Sequence, residues 1–86
     1  MKKAAVIGCG HWGKNLVRNF SELGSLVAIS DPNKTLAAKF AADYNVPALD
    51  FEAILRSDCD GVVIAAPAPL HAPLTKKAFA AGKHVY

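Results

Sequence analysis

The chain has 86 residues, enough for one small domain with one hydrophobic core. Hydrophobic residues make up 52% of it and charged residues 20%, proportions that are typical of a globular protein and exclude a disordered one. The net charge of +3 comes from dispersed lysines and arginines with acids between them, so nucleic acid is not an expected partner.

Targeting and cysteine patterns narrow the class further. The first apolar stretch ends at Gly8 after four residues, which is too short for a signal peptide or a membrane span. We therefore expect a cytoplasmic protein with no membrane partner. Cys9 and Cys59 lie fifty residues apart without a CxxC pair, so neither a zinc site nor a disulfide framework is indicated.

The first half of the chain alternates short apolar runs with segments of helical periodicity. The pattern predicts a strand at 3–7, a helix at 11–23, a strand at 26–30 and a helix at 34–44. Gly24 has the position of a left-handed cap after the first helix. Asn33 is the expected N-cap of the second.

The second half continues this alternation. Residues 46–49, interrupted by Pro47, predict a short strand near a sheet edge. Asp50 is expected to cap a brief third helix. A strongly β-branched run predicts a strand at 61–65, a helix follows at 72–81, and the residues from 83 onward resemble the opening of a fifth strand.

Strands that alternate with helices at this spacing predict an α/β fold, a doubly wound parallel sheet with helices on both faces. The most economical layout is Rossmann-like, with strand order 3-2-1-4-5. The chain stops just after its fifth strand begins, so we expect one dinucleotide-binding domain over residues 1–86.

The stretch "GCGHWG" has the form G-x-G-x-x-G, directly between the first strand and the first helix. Gly8 would let the chain turn off the strand, Gly10 would let a pyrophosphate approach the backbone, and Gly13 would let the helix lie close to the sheet. The unpaired N–H groups of the helix start favour an anion. A glycine corner without any ligand is the alternative.

Asp31 supplies an independent indication. It lies eighteen residues after Gly13, at the end of the second strand, where a carboxylate can bind the adenosine ribose of a dinucleotide. A carboxylate repels a 2′-phosphate, which favours NAD over NADP, although Ser30, Asn33 and Lys34 could weaken that preference. The alternative is a turn residue, because "SDPN" would form a good turn in any protein.

The stretch "AAPAPLH", residues 65–71, follows the fourth predicted strand. The first and fourth strands are neighbours in the expected order, so this stretch and the glycine turn should face each other across one crevice. Pro67 and Pro69 are expected to stiffen it as a loop. His71 could contact the cofactor, contact substrate or cap the following helix.

The remaining candidate side chains give weaker indications of function. His11 and Trp12 lie on the glycine turn. We expect His11 to contact the cofactor through its backbone, and Trp12 either to pack against the protein or to contact the cofactor. Cys9 lies at a helix start, where a thiol pKa can fall, but a bound pyrophosphate would oppose the thiolate. The chain offers no convincing general acid or base for hydride transfer.

Four segments together resemble the amino-terminal half-domain of one oxidoreductase family. They are "AVIGCGHWGKNLVRNF", "SDPN", "VPALDFEAIL" and "DGVVIAAPAPLHAPLTKKAFAAGKHVY", and they resemble the glucose-fructose oxidoreductase and inositol dehydrogenase family (Gfo/Idh/MocA). The glycine turn combined with P-x-x-x-H before a helix that ends in "AGKHV" is far more specific than the glycines alone. The segment "GHWGKN" is most similar to the corresponding segment of members that oxidise sugar nucleotides.

The resemblance implies a set of cofactor contacts. The turn would carry the pyrophosphate, the acid after the second strand would hold the ribose, and the P-x-x-x-H stretch would lie by the nicotinamide. The implied residues are Gly8, Gly10, His11, Trp12, Gly13, Asp31, Ala66, Pro67, Leu70 and His71.

The resemblance also implies what this chain lacks. Family members continue into an E-K-P segment with a catalytic lysine and a second domain that binds a sugar, sugar nucleotide or polyol and often mediates oligomerisation. The chain is therefore expected to bind NAD without turning over substrate, as part of a homo-oligomeric oxidoreductase. Alternatives are a dinucleotide-sensing module without chemistry and, less consistent with "AAPAPLH", a methyltransferase.

Overall fold

The fold is that of a computed structural model, which describes residues 3–8, 10, 13–65 and 68–85, with the backbone alone for 68–70. Strands and helices alternate along most of the chain. In chain order the elements are β1 (Ala4–Ile7), α1 (Gly13–Glu22), β2 (Leu26–Ser30), α2 (Lys34–Tyr44), α3 (Phe51–Arg56), β3 (Gly61–Ile64), α4 (Ala68–Ala80) and β4 (His84–Val85).

The four strands form one parallel sheet in the order β2-β1-β3-β4. The predicted strand at 46–49 is wrong in extent, because only a single parallel bridge, Ile29 to Ala48, forms beside β2. Pro47 has no N–H to donate, so the pairing is confined to two hydrogen bonds, from Ile29 N–H to the Pro47 carbonyl and from Leu49 N–H to the Ile29 carbonyl. If the bridge at Ala48 is counted as the third predicted strand, β3 and β4 are the fourth and fifth. The order along the sheet is then the predicted 3-2-1-4-5.

Both faces of the sheet are covered, which explains why β1 and β3 are buried along their whole length. On one face, Val6, Ile29 and Val63 pack with residues of α1 and α2. On the other face, Ile7 and Val62 pack with residues of α3 and α4. The doubly wound α/β class predicted from the sequence is therefore confirmed.

Short-range signals set the helix ends as predicted. The Asn33 side chain accepts a hydrogen bond from Leu36 N–H at 3.1 Å, and the Asp50 side chain accepts one from Ala53 N–H at 2.7 Å. Both are N-caps. Gly24, after α1, has φ 73°, the left-handed conformation expected at a helix C-terminus.

The helix predicted at 72–81 instead begins at Ala68 and contains Pro73, which corrects the expected loop. Pro69 therefore lies in the first turn of α4 and not in a stiffened loop. The first four N–H groups of a helix have no intrahelical acceptor, so a proline there removes no hydrogen bond. Pro73 does remove one, and the helix tolerates that loss.

Lys83 fastens the start of β4 to the turn before β3. Its half-buried ammonium donates hydrogen bonds to the carbonyls of Ser57 at 2.6 Å and Cys59 at 2.7 Å. His84 N–H adds a bond to the Asp60 carbonyl at 3.1 Å. This anchoring is what keeps a strand of only two residues in the sheet.

Replacing Lys83 with methionine should lower the free energy of unfolding by about 2 kcal/mol, because two partly buried carbonyls lose a charged donor. Urea unfolding followed by circular dichroism measures the change. Lys39→Met, at an exposed position of α2, is the matched control and should leave the midpoint in place. Equal midpoints for the two variants would show that the Lys83 contacts contribute nothing.

Candidate cofactor-binding site

The glycine turn begins where three strand ends are tied together. Gly8 N–H donates to the Ser30 carbonyl at 2.7 Å, and Ala65 N–H donates to the Ile7 carbonyl at 2.8 Å. These bonds place the ends of β1, β2 and β3 at one edge of the sheet. Gly8 has φ 100°, a conformation that other residues rarely adopt.

Gly13 brings α1 against the end of β1. A Cβ at this position would overlap the carbonyl oxygen of Gly8 and would lie 2.6 Å from the carbonyl carbon. Both atoms belong to backbone, which cannot rotate away as a side chain can. The close helix packing predicted for the third glycine is therefore present.

Gly10 has a different environment from Gly13. It is exposed, and among the described residues nothing lies within 4 Å of a Cβ built on it. Its carbonyl accepts the hydrogen bond of Lys14 N–H at 3.0 Å, which places it at the opening of α1. Open space beside a helix N-terminus is what a pyrophosphate needs, so the geometry fits the group that the sequence predicts.

Asp31 follows β2 at the same edge. Its Oδ1 accepts a hydrogen bond from Asn33 N–H at 2.8 Å. Asp31 therefore has the turn-forming contact that the sequence left open as the alternative. An ionised carboxylate has about four acceptor positions, and Asp31 also lines the cleft described next. The turn therefore holds the carboxylate at the cleft, at the end of β2.

A cleft of about 680 Å³ opens at this edge of the sheet, within the usual range for small-molecule sites. It joins the ends of β1, β2 and β3 to the starts of α2 and α3 and to one side of α4. We call it the edge cleft. Its lining residues are Ile7, Gly8, Ser30, Asp31, Pro32, Lys34, Asp50, Phe51, Ala65, Pro73, Leu74 and Lys77.

Several residues of the edge cleft were not among those predicted from the sequence. Asp50 and Phe51 enter it because α3 begins just after the Ala48 bridge, at the carboxyl edge of the sheet. Pro73, Leu74 and Lys77 enter it because α4 packs beside β3. The predicted edge strand at 46–49 could have indicated that Asp50 and Phe51, which follow it, lie near this edge of the sheet. It gave no indication for the residues of α4.

His71 does not have the capping role that the sequence left open. It lies within α4, is exposed, and its Nδ1 is 3.4 Å from the Thr75 hydroxyl one turn later. The predicted contacts His11, Trp12, Ala66 and Pro67 lie outside the described residues, and Leu70 is described only in its backbone.

Three further features describe the surroundings of the site. Within the described ranges, no group of three or more potential ligands could hold a metal ion, and none of the helices combines the length and the apolar character that crossing a membrane requires. Cys59 is a buried free thiol that packs in the core with α3.

Comparisons with known proteins agree with this geometry. Residues 2–86 match the family described as "Oxidoreductase family, NAD-binding Rossmann fold" (GFO_IDH_MocA). A glycosyl hydrolase family 109 protein of Shewanella amazonensis is 33% identical over 98 aligned positions, covering 98% of this chain and 22% of that protein.

Two further relatives are dehydrogenases by name. UDP-N-acetylglucosamine 3-dehydrogenase of Acidithiobacillus ferrooxidans is 29% identical, covering 95% of this chain and 26% of that protein. A crystal structure from Sinorhizobium meliloti 1021, assigned as a myo-inositol dehydrogenase, superposes with a TM-score of 0.92 at 28% identity, covering 99% of this chain and 27% of that one.

The chain thus spans about a quarter of the length of these relatives. Its parallel sheet, its glycine turn and the family match all agree. The chain belongs to the Gfo/Idh/MocA oxidoreductase family, of which it is the NAD-binding Rossmann domain.

Proposed function

We propose that this chain is the cofactor-binding part of an oxidoreductase that transfers hydride between a hydroxyl-bearing carbon of a sugar, sugar nucleotide or polyol and NAD. The nicotinamide ring would accept or donate the hydride, and the protein would supply binding and orientation. The observation that carries the proposal is the position of Gly10 before α1, where no described atom lies within 4 Å of an added Cβ, beside a cleft that Asp31 lines.

Each part of the dinucleotide has a proposed place. The pyrophosphate would lie on Gly8, Gly10 and Gly13, beside the N-terminus of α1. The contacts proposed for the remaining groups are His11 and Trp12 at the pyrophosphate, Asp31 at the adenosine ribose, and Ala66, Pro67, Leu70 and His71 at the nicotinamide.

The substrate and its chemistry would belong to a larger protein. Among the relatives, one acts on UDP-N-acetylglucosamine by name, which supports a sugar nucleotide as the substrate class. We propose that the catalytic lysine and the substrate-binding domain lie outside residues 1–86. The same proposal includes a cytoplasmic location, where NAD is supplied, and a homo-oligomeric whole protein.

Calorimetric titration of the 86-residue chain with NAD tests the binding step. One saturable site, competed by ADP-ribose, is the expected result, with no reduction of NAD when sugar nucleotides are added. An absence of binding by a chain that is folded by circular dichroism would refute the proposed function. Sugar-dependent reduction of NAD would refute the proposed division of the chemistry.

Asp31→Asn should weaken NAD binding about tenfold, because hydrogen bonds to a charged acceptor contribute more than those to a neutral amide. The asparagine oxygen can still accept from Asn33 N–H, so the turn should persist. Asp43→Asn, at an exposed position of α2, is the control. Equal affinities for the two variants would remove Asp31 from the site.

A further inference from the structure

His71 lies at the margin of the edge cleft. It is on α4, one helical turn before Leu74, which lines the cleft, and residues three apart on a helix are neighbours on its surface. Its side chain is exposed. The ring is therefore accessible to a cofactor that lies along this edge of the sheet.

A hydroxyl on the same helix contacts the His71 ring. Thr75, four residues later, has its Oγ1 3.4 Å from Nδ1. Thr75 is half-buried and lies one turn before the fully buried Ala78, so it is beside the face of α4 that packs on the sheet. At 3.4 Å the contact is longer than a usual hydroxyl hydrogen bond, so it biases the ring and does not lock it.

The available donors and acceptors give this contact a direction. The Thr75 hydroxyl has no other acceptor among the described residues, and Nδ1 of a neutral imidazole can accept. When the hydroxyl donates to Nδ1, the proton of the neutral ring lies on Nε2, because the bond made by one ring nitrogen decides which of the two is protonated. Nε2–H is then a donor for which the described part of the chain supplies no acceptor.

We infer that Thr75 is a positioning residue for His71, whose Nε2–H it directs as a hydrogen-bond donor to the carboxamide oxygen of the nicotinamide. This inference rests on the proposed function, which puts His71 at the nicotinamide. The other tautomer would turn a bare nitrogen toward the carboxamide oxygen, and two acceptors do not bond. With its proton on Nε2, the ring cannot take a proton there from a substrate hydroxyl, so His71 serves binding and is not the base of hydride transfer.

Nitrogen-15 NMR of the histidine rings in the 86-residue chain, at alkaline pH where imidazole is neutral, measures the tautomer. Wild-type His71 should be mainly Nε2–H. Thr75→Val keeps the branched shape without the hydroxyl and should move the ratio about threefold toward the other tautomer, the effect of one weak neutral hydrogen bond. Thr75→Ser restores the hydroxyl and should restore the ratio. Thr35→Val, exposed on α2 and outside the cleft lining, is the matched control.

Calorimetric titration with NAD measures the consequence for binding. Thr75→Val should weaken NAD about threefold and His71→Ala about tenfold, within the range of one hydrogen bond. The double variant should bind as His71→Ala does, because Thr75 acts through the ring and the two effects are not additive. ADP-ribose, which lacks the nicotinamide, should bind to all of these variants with the wild-type affinity.

The outcomes separate this inference from the proposed function. Wild-type NAD binding with the same tautomer ratio in Thr75→Val would overturn the inference and leave the proposed function intact. Additive losses in the double variant, or an equal loss of ADP-ribose affinity, would also overturn it, because Thr75 would then act elsewhere than through a nicotinamide contact of His71. Failure of the folded wild-type chain to bind NAD would refute the proposed function and the His71 contact with it.

Discussion

Gly13→Ala is expected to destabilise the domain by about 3 kcal/mol or more, at the upper end of overpacking effects. The added Cβ would overlap the carbonyl oxygen of Gly8, and neither backbone can yield alone. Gly8 N–H is bonded to Ser30, so a shift at Gly8 would strain the junction of β1 with β2. The alternative, a displacement of α1, would open the core around Val17.

Thermal and urea unfolding, followed by circular dichroism, measure this loss. Gly10→Ala adds the same methyl group three residues earlier, where it meets no described atom within 4 Å, and is the matched control. A domain this small has little stability to spare, so the Gly13 variant should be largely unfolded at 37 °C. Near-wild-type stability would mean that α1 does not lie as close to Gly8 as the structure has it.

Gly10→Ala should have the opposite profile, with wild-type stability and NAD affinity reduced about tenfold or more, the value of a lost hydrogen bond to a charged group. A methyl group meets no described atom within 4 Å in the free domain, so it disturbs no contact that the structure describes. In the complex the same methyl group would occupy the space of the pyrophosphate. The substitution therefore separates the cofactor role of the turn from its structural role.

Calorimetric titration with NAD, together with an unfolding curve, provides both readouts for Gly10→Ala. Asn19→Ala, at an exposed position of α1, controls for an alanine elsewhere on that helix and should bind as the wild type does. Wild-type affinity in the Gly10 variant would place the pyrophosphate elsewhere. The glycine turn would then be a corner with a structural role alone.

Much of the architecture could be predicted from local patterns. The helix at 34–44 and its Asn33 cap depend on residues within one turn of each other, and the structure has both as predicted. The strand at 26–30 and the parallel order followed from short apolar runs separated by helices. These features depend on backbone propensity and hydrophobic period, which a sequence displays directly.

Other features required contacts between distant parts of the chain. The start of α4 was misplaced because prolines suggest a loop, whereas the first turn of a helix tolerates them. Pro47 reduced a predicted strand to one bridge. The meeting of Lys77 with Asp31 and Phe51 in one cleft has no signal in their spacing, because it depends on how α4 and α3 pack on the same face of the sheet. Short-range hydrogen bonds and burial patterns depend on neighbouring residues and can be predicted from the sequence. The residues that line a cleft are decided only when helices from separate parts of the chain pack on the sheet.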